Sequence, residues 1–212
     1  MSNSIAATNL TCIRSEQTLF SELSLQVSSG ECLHITGANG SGKSSLLRIL
    51  CGLLTPDTGI IKWNNANIHK NPIYLNGLAY IGHKDALKNE LTAAENLTFS
   101  YQSDHSLQNK SVLIDDQVDN HLARLNILHC ADLIAQKLSF GQRRRLVFSK
   151  LLIKHYPIWV LDEPFTGIDH DGRQLIESLC KEHLEKSGII ILTNHQSLVS
   201  SPLAEHLQEL SL

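Results

Sequence analysis

The chain lacks most features of secreted, metal-bound or membrane-spanning proteins. It has 212 residues and only five cysteines, none of them in a C-x-x-C pair, so the sequence predicts neither a disulfide framework nor a zinc site. The longest apolar stretches, such as residues 188–192, are much shorter than a membrane span. We therefore expect reduced thiols and no transmembrane segment.

The chain also has no strong charge of either sign. Its formal net charge is −3, which gives no general attraction to nucleic acid, and we expect no nucleic-acid partner. Residues 1–10 have neither a basic start nor an apolar core, so we expect no secretory signal. The one basic cluster, Arg143–Arg145, has two interpretations: a solvated helical face or a functional patch.

The composition is that of an ordinary globular protein, with 42% hydrophobic and 18% charged residues. A chain of this length forms one core, or one core with a small appended lobe. Strand patterns alternate with helical patterns, which predicts a mostly parallel sheet with helices on its faces. The patterns predict strands at 5–13, 19–27, 31–36, 60–63, 78–82, 157–162 and 188–195, and helices at 43–51, 115–128, 141–154 and 170–186. In this interpretation 188–195 is the final, central strand, and a helical lobe occupies about 85–137.

A glycine-rich loop lies between a predicted strand and a predicted helix. GANGSGKS at 37–44 matches G-x-x-x-x-G-K-[ST], in which backbone N–H groups and the helix N-terminus bind phosphates. Lys43 would neutralise β- and γ-phosphate charge, and Ser44 would ligate Mg²⁺. The predicted ATP-binding residues are Gly37, Ala38, Asn39, Gly40, Ser41, Gly42, Lys43, Ser44 and Ser45.

Two acids and a histidine follow buried strands. Asp162 ends the apolar run IWVLD and would hold Mg²⁺, while Glu163 is placed to polarise the attacking water. His195 ends the strand that we expect beside the Asp162 strand, from which it would reach the γ-phosphate. Ligands in parallel sheets bind at the carboxyl ends of the strands, so these groups can converge there.

A second serine-glycine turn, LSFGQ at 138–142, lies between the glycine-rich loop and the acidic pair. Ser139 can cap the helix that follows it. With the Gly141 N–H it can also bind the γ-phosphate of a nucleotide on a second chain. The two roles are compatible, and one site has little use for two phosphate-binding turns.

In this order and spacing the motifs resemble those of the ATP-binding subunits of ABC transporters, over nearly the whole chain. The resemblance implies a single ATP-binding domain over 1–212, with a core of about 1–84 and 151–212 and a helical subdomain of about 85–150. It also implies an ATP-driven homodimer in which each glycine-rich loop faces the partner's signature turn. The implied motifs are Walker A at 37–44, the signature residues Ser139, Phe140, Gly141 and Gln142, Walker B at 158–163, the D-loop at Asp169 and the switch histidine His195.

Three positions depart from the usual pattern of that family. His83 occupies the Q-loop position, where glutamine is usual. Arg14 falls where an adenine-stacking aromatic residue is expected, and a guanidinium can stack on a purine face. Phe140 replaces a commoner glycine in the signature.

The segment YIGHKDALKNELTAAENLTF at 80–99 is similar to the branch of the family that serves cytochrome c biogenesis and haem export. That likeness implies ATP with Mg²⁺, permease subunits in the membrane, and a peripheral position on the cytoplasmic face of the inner membrane. ATP hydrolysis there is tied to release of a haem-loaded chaperone.

Three alternatives remain at this point. The chain could serve another exporter, such as one for lipoprotein release, although Gly82-His83 and residues 91–97 argue against that. A soluble ABC-type ATPase would usually carry a coiled-coil insertion or two fused units. A small P-loop kinase would have no use for LSFGQ.

Overall fold

The structure, a computed structural model, describes residues 3–103 and 114–212. The chain divides into two units. The first comprises Met1–His83, Tyr156–Thr166 and Glu177–Leu212, and the second comprises Lys84–His155 and Gly167–Ile176.

A five-stranded parallel sheet forms the centre of the first unit. Its strands are β3 (Cys32–Thr36), β6 (Leu78–Ile81), β7 (Ile158–Asp162), β8 (Ile189–Thr193) and β9 (Leu207–Ser211), in the order β6-β7-β8-β3-β9. β7 and β8 are buried at every position, as apolar strands covered on both faces require. The predicted parallel sheet and the predicted pairing of the Asp162 and His195 strands are both confirmed.

A four-stranded antiparallel sheet completes the β-structure of this unit. It contains β1 (Ser4–Arg14), β2 (Gln17–Ser28), β4 (Thr58–Trp63) and β5 (Ala66–Asn67), in the order β2-β1-β4-β5. α1 (Lys43–Leu50) lies against β7 and β8, and the short α2 (Pro72–Asn76) precedes β6. One apolar core joins the two sheets and α1, with Ile5, Leu10, Ile35, Leu46, Leu47, Val160 and Ile191 among its fully buried members.

Three helices pack together in the second unit: α3 (Ala93–Ser103), α4 (Ile114–Arg124) and α5 (Phe140–Ser149). α3 begins at a reciprocal capping box, because Thr92 Oγ1 accepts from the Glu95 N–H at 3.1 Å and Glu95 Oε2 accepts from the Thr92 N–H at 2.7 Å. The buried Asn96 amide donates to the carbonyls of Lys88 and Leu91. The LTAAEN segment therefore fixes the start of this helix. α6 (His170–Glu185) is the remaining long helix of the described chain.

Four details differ from the sequence expectations. The helix predicted to reach residue 128 ends at Arg124, because Asn126 adopts a left-handed conformation (φ 55°). The helix predicted over 141–154 ends at Ser149 and continues as a 3₁₀ turn. β8 is central but not final, because the short edge strand β9 follows it.

The fourth difference concerns the arginine cluster, for which the solvated-face interpretation is wrong. Arg144 is only 3% exposed. Arg143 Nε lies 3.3 Å and Arg144 Nη1 3.8 Å from the Asp85 carboxylate, and Arg145 Nη2 lies 3.8 Å from Asp169 Oδ2. The cluster thus pairs with acids of its own unit.

Candidate nucleotide-binding site

The predicted site residues of the first unit lie at one edge of the parallel sheet. β3 leads into the glycine-rich loop, β7 ends at Asp162 and β8 ends at Thr193, two residues before His195. His83 follows the end of β6. Because these four strands are parallel neighbours, their carboxyl ends share an edge, which is where ligands bind in open α/β sheets.

The glycine-rich loop presents an uncapped helix end. Gly42 is the N-cap residue of α1 in a left-handed conformation (φ 104°), and no side chain caps the first N–H groups. A Cβ at Gly42 would lie 3.0 Å from Leu19 Cβ, so the backbone angle favours glycine and the space for any other side chain is tight. The free N–H groups and the positive end of the helix dipole suit a bound anion.

Lys43 is held against the loop that precedes it. Its Nζ donates to the carbonyls of Gly37 and Ala38, each at 2.8 Å. An ammonium has three donors, so these two bonds aim the side chain and leave a third for a ligand. Ser41 Oγ is buried and has no hydrogen-bond partner within residues 3–103 and 114–212, which a phosphate oxygen would supply.

The other predicted residues of the loop are more accessible. Ser44, in the first turn of α1, is exposed, and Ser45 is half-buried. Ala38, Asn39 and Gly40 are exposed.

Asp162 is buried and is oriented by the neighbouring strand. Its Oδ1 accepts from the Thr193 hydroxyl at 2.8 Å. Burial and, second, the Asp162 charge raise the pKa of the Cys51 thiol to about 12. Burial is also the main cause that raises the pKa of Tyr80, with Asp162 contributing.

Glu163 lies among several polar groups and has an unusual backbone. It adopts a left-handed conformation (φ 50°), which is uncommon for a residue with a Cβ. Its Oε1 lies 2.8 Å from His195 Nε2, and its Oε2 accepts from the Thr166 hydroxyl at 3.2 Å. His83 Nδ1 lies 3.9 Å from Oε2 and is 69% exposed at its side chain, so this contact is not a hydrogen bond.

Two buried residues near this edge were not predicted as site residues. Thr193 forms hydrogen bonds with both Asp162 and Glu163. Its place in the TNH sequence, combined with the register that pairs it with Asp162, could have identified it. His34 Nε2 donates to the carbonyl of Asn194 at 3.2 Å and so supports the peptide that precedes His195. No sequence pattern indicated that contact, since a histidine within an apolar strand has no distinctive spacing.

Arg14, the candidate adenine-stacking residue, is engaged with an acid. Its Nη1 lies 3.2 Å from Asp57 Oδ2 and its Nη2 donates to the Thr55 carbonyl. The guanidinium is partly exposed, with 37% of the side chain accessible.

The predicted signature turn belongs to the second unit. Ser139 caps α5 in a reciprocal capping box: its Oγ accepts from the Gln142 N–H at 3.2 Å, and Gln142 Oε1 accepts from the Ser139 N–H at 2.9 Å. The predicted capping role is therefore confirmed. Phe140 is 57% exposed, and a Cβ placed on Gly167 would lie 2.4 Å from its ring. A Cβ placed on Gly141 would meet nothing within 4 Å, so the space beside this residue is open.

Asp169, the predicted D-loop residue, caps the start of α6. Its Oδ1 accepts from the Gly172 N–H at 2.9 Å. Its Oδ2 faces Arg145, as described above.

Ser44 and Asp162 together offer a hydroxyl and a carboxylate oxygen. Mg²⁺ prefers hard oxygen ligands and is usually held by one or two protein groups together with waters and substrate phosphates, so these donors fit the ion. Within the described residues, no group of three histidine, cysteine or acidic side chains is placed to hold a metal. None of the helices in the described part of the chain is both long and apolar enough to cross a membrane.

Comparison with known proteins gave matches over most of the chain. The family model described as ABC transporter matches residues 20–166. The cytochrome c biogenesis ATP-binding export protein CcmA of Mannheimia succiniciproducens is 41% identical, with 95% of this chain and 92% of that protein covered. The protein of the same name from Haemophilus influenzae is 42% identical, with 96% and 92% covered.

Solved structures show the same fold. An ATP-binding subunit of an ABC transporter superposes with a TM-score of 0.78 at 22% identity, covering 90% of this chain and 79% of the other. A nucleotide-free ATP-binding cassette from an ABC transporter has a TM-score of 0.77 at 24% identity, covering 99% and 88%. The predicted architecture, a mostly parallel sheet with N-terminal antiparallel strands, is thereby confirmed.

Proposed function

Because the chain belongs to the family of ATP-binding subunits of ABC transporters, we propose that it is the ATP-hydrolysing motor of a membrane complex for cytochrome c maturation. The observation that supports ATP hydrolysis best is the 2.8 Å contact between His195 and Glu163, at the sheet edge where the glycine-rich loop also begins. The names of the two relatives support the cytochrome c assignment.

In the proposed reaction the loop binds the triphosphate through its N–H groups and the α1 N-terminus. Lys43 neutralises charge on the β- and γ-phosphates. Ser44 and Asp162 would hold Mg²⁺, which when bound would supply further charge neutralisation on the phosphates. Glu163 orients and polarises the attacking water, and His195 faces both Glu163 and the γ-phosphate.

We further propose that 1–212 is a single ATP-binding domain, with a core of about 1–84 and 151–212 and a helical subdomain of about 85–150. Two chains would form an ATP-driven homodimer in which Ser139 and Gly141 of one chain bind the γ-phosphate held by the other. The open space beside Gly141 supports this arrangement, because a Cβ there would meet nothing within 4 Å. Asp169 would lie near the same dimer interface.

The partners of this motor would be integral permease subunits of a cytochrome c maturation complex, contacted from the cytoplasmic face of the inner membrane. Hydrolysis would be tied to haem export or to release of the haem-loaded chaperone. His83 would take the Q-loop position in this scheme. No nucleic acid would be involved.

The test is purification of the tagged chain from detergent-solubilised membranes, followed by identification of the proteins that accompany it and measurement of ATPase activity. The proposal predicts magnesium-dependent ATPase activity and co-purified haem-handling membrane subunits. Lipoprotein-release subunits in their place would support the alternative exporter. An active ATPase with no membrane partner would refute the motor assignment.

A further inference from the structure

Thr193 connects the two acidic residues of the site. It is the last residue of β8, is fully buried, and lies opposite Asp162 in the parallel β7–β8 register. Its hydroxyl is within hydrogen-bond distance of both Asp162 and Glu163. No role in the site was predicted for it from the sequence.

The chemistry of the two partners fixes the direction of both bonds. A hydroxyl has one donor and two acceptor sites. An ionised carboxylate only accepts, so the Thr193 O–H donates to Asp162 Oδ1 at 2.8 Å. A backbone N–H only donates, so the Glu163 N–H is accepted by the same oxygen at 3.0 Å. The single donor of Thr193 is therefore committed to Asp162.

The bond to the Glu163 N–H supports an unfavourable backbone. The left-handed conformation of Glu163 is disfavoured for residues with a Cβ and persists only where surrounding contacts enforce it. In this conformation the carboxylate reaches His195 Nε2. A relaxed backbone would redirect that carboxylate.

We propose that Thr193 is a positioning residue for ATP hydrolysis, whose hydroxyl orients the metal-binding carboxylate of Asp162 and the backbone of Glu163 at the same time. This inference rests on the proposed ATPase function. Thr193 is fully buried and acts through its two acidic neighbours. Its removal therefore lowers turnover more than it weakens ATP binding.

The experiment compares Thr193→Val, which keeps the shape but loses the hydroxyl, with Thr193→Ser, which keeps the hydroxyl. We expect Thr193→Val to lower kcat by about 10- to 100-fold, as for other residues that orient metal ligands, and to change the KM for ATP by less than about threefold. Thr193→Ser should recover kcat to within about threefold of the wild type. Ser149→Ala is the control, because it removes another fully buried hydroxyl bond, to the Leu146 carbonyl, from the second unit.

A double-mutant cycle separates this role from a general loss of stability. If Thr193 acts through Glu163 and Asp162, then Thr193→Val should lower the residual turnover of Glu163→Gln by a smaller factor than it lowers that of the wild type. Thr193→Ala serves in the cycle if the valine variant does not fold. A kcat within about threefold of the wild type for both hydroxyl-free variants, or no recovery with serine, would overturn the inference. Absence of ATPase activity in the wild-type chain would instead refute the proposed function itself.

Discussion

The imidazole Nε2 of His195 lies 2.8 Å from Oε1 of Glu163, across the carboxyl ends of β8 and β7. The two side chains come from segments 32 positions apart and meet only because their strands are neighbours in the sheet. A histidine in this position can orient the carboxylate and also contact the γ-phosphate. The contact therefore predicts a direct effect of His195 on the hydrolysis step.

Replacement of His195 by alanine should lower kcat by about 100-fold, the range found for positioned acid–base groups, and leave ATP binding nearly intact. Nucleotide affinity by fluorescence and steady-state ATPase rates separate the two effects. His206→Ala is the matched control, because His206 contacts the Gly30 carbonyl and lies outside the proposed site. An equal loss of kcat in both variants would contradict a specific role of His195 in hydrolysis.

Replacement of Lys43 by alanine should weaken ATP binding by about 10- to 100-fold, because a charge-assisted hydrogen bond to phosphate is lost. Isothermal titration with ATP and Mg²⁺ measures the change. Lys62→Ala removes an exposed lysine of β4 and should bind ATP as the wild type does. Wild-type affinity in Lys43→Ala would refute the assigned phosphate loop.

Replacement of His83 by glutamine, the usual Q-loop residue, should change kcat by less than about fivefold, because exposed charge contacts contribute little. The His83 ring is largely exposed and lies 3.9 Å from Glu163, too far for a hydrogen bond. Steady-state ATPase kinetics test this. A larger loss of kcat would show that His83 has a catalytic role that the glutamine cannot fill.

The sequence predicted the segments that carry a strong local pattern. Apolar runs such as that before Asp162 identified the buried strands, and the glycine-rich loop identified the start of α1. β9 was missed because a five-residue edge strand has almost no periodic signal, and its pairing with β3 is a long-range event. The burial of Arg144 could not be predicted for a similar reason, since its partner Asp85 lies far away in the chain.

In the site, too, local motifs were predictable and long-range contacts were not. Motif spacing gave the loop, both acids and His195, which the structure places at the carboxyl ends of neighbouring strands. Thr193 and His34 support those residues through bonds that depend on strand register, which the order of predicted strands does not determine.

A pH dependence of stability follows from the second unit. Burial, with a further contribution from Arg124, lowers the pKa of His121 below its usual 6.5. The neutral ring can accept at Nδ1 from the Tyr101 hydroxyl, 2.7 Å away. The unfolded chain therefore binds the proton more readily than the folded chain. The contribution of His121 to the free energy of unfolding is present above pH 6.5 and is lost as the pH falls below that value.

Thermal unfolding of the wild type and His121→Gln, at about pH 7.5 and about pH 5.5, tests this. The melting temperature of the wild type should fall more over that interval than that of the variant. An equal fall in both proteins would show that His121 makes no contribution to the pH dependence.

The mass of Glu163→Gln in solution, measured by analytical ultracentrifugation, tests most directly whether two chains enclose each ATP. This variant should bind ATP without hydrolysing it, so that ATP with Mg²⁺ converts it to a dimer while the nucleotide-free protein stays monomeric. Adding Gly141→Asp should abolish the dimer without disturbing the monomer, since the position is open and an acid is favourable in the first turn of a helix. A monomer with ATP in Glu163→Gln, or a dimer unaffected by Gly141→Asp, would contradict the claim.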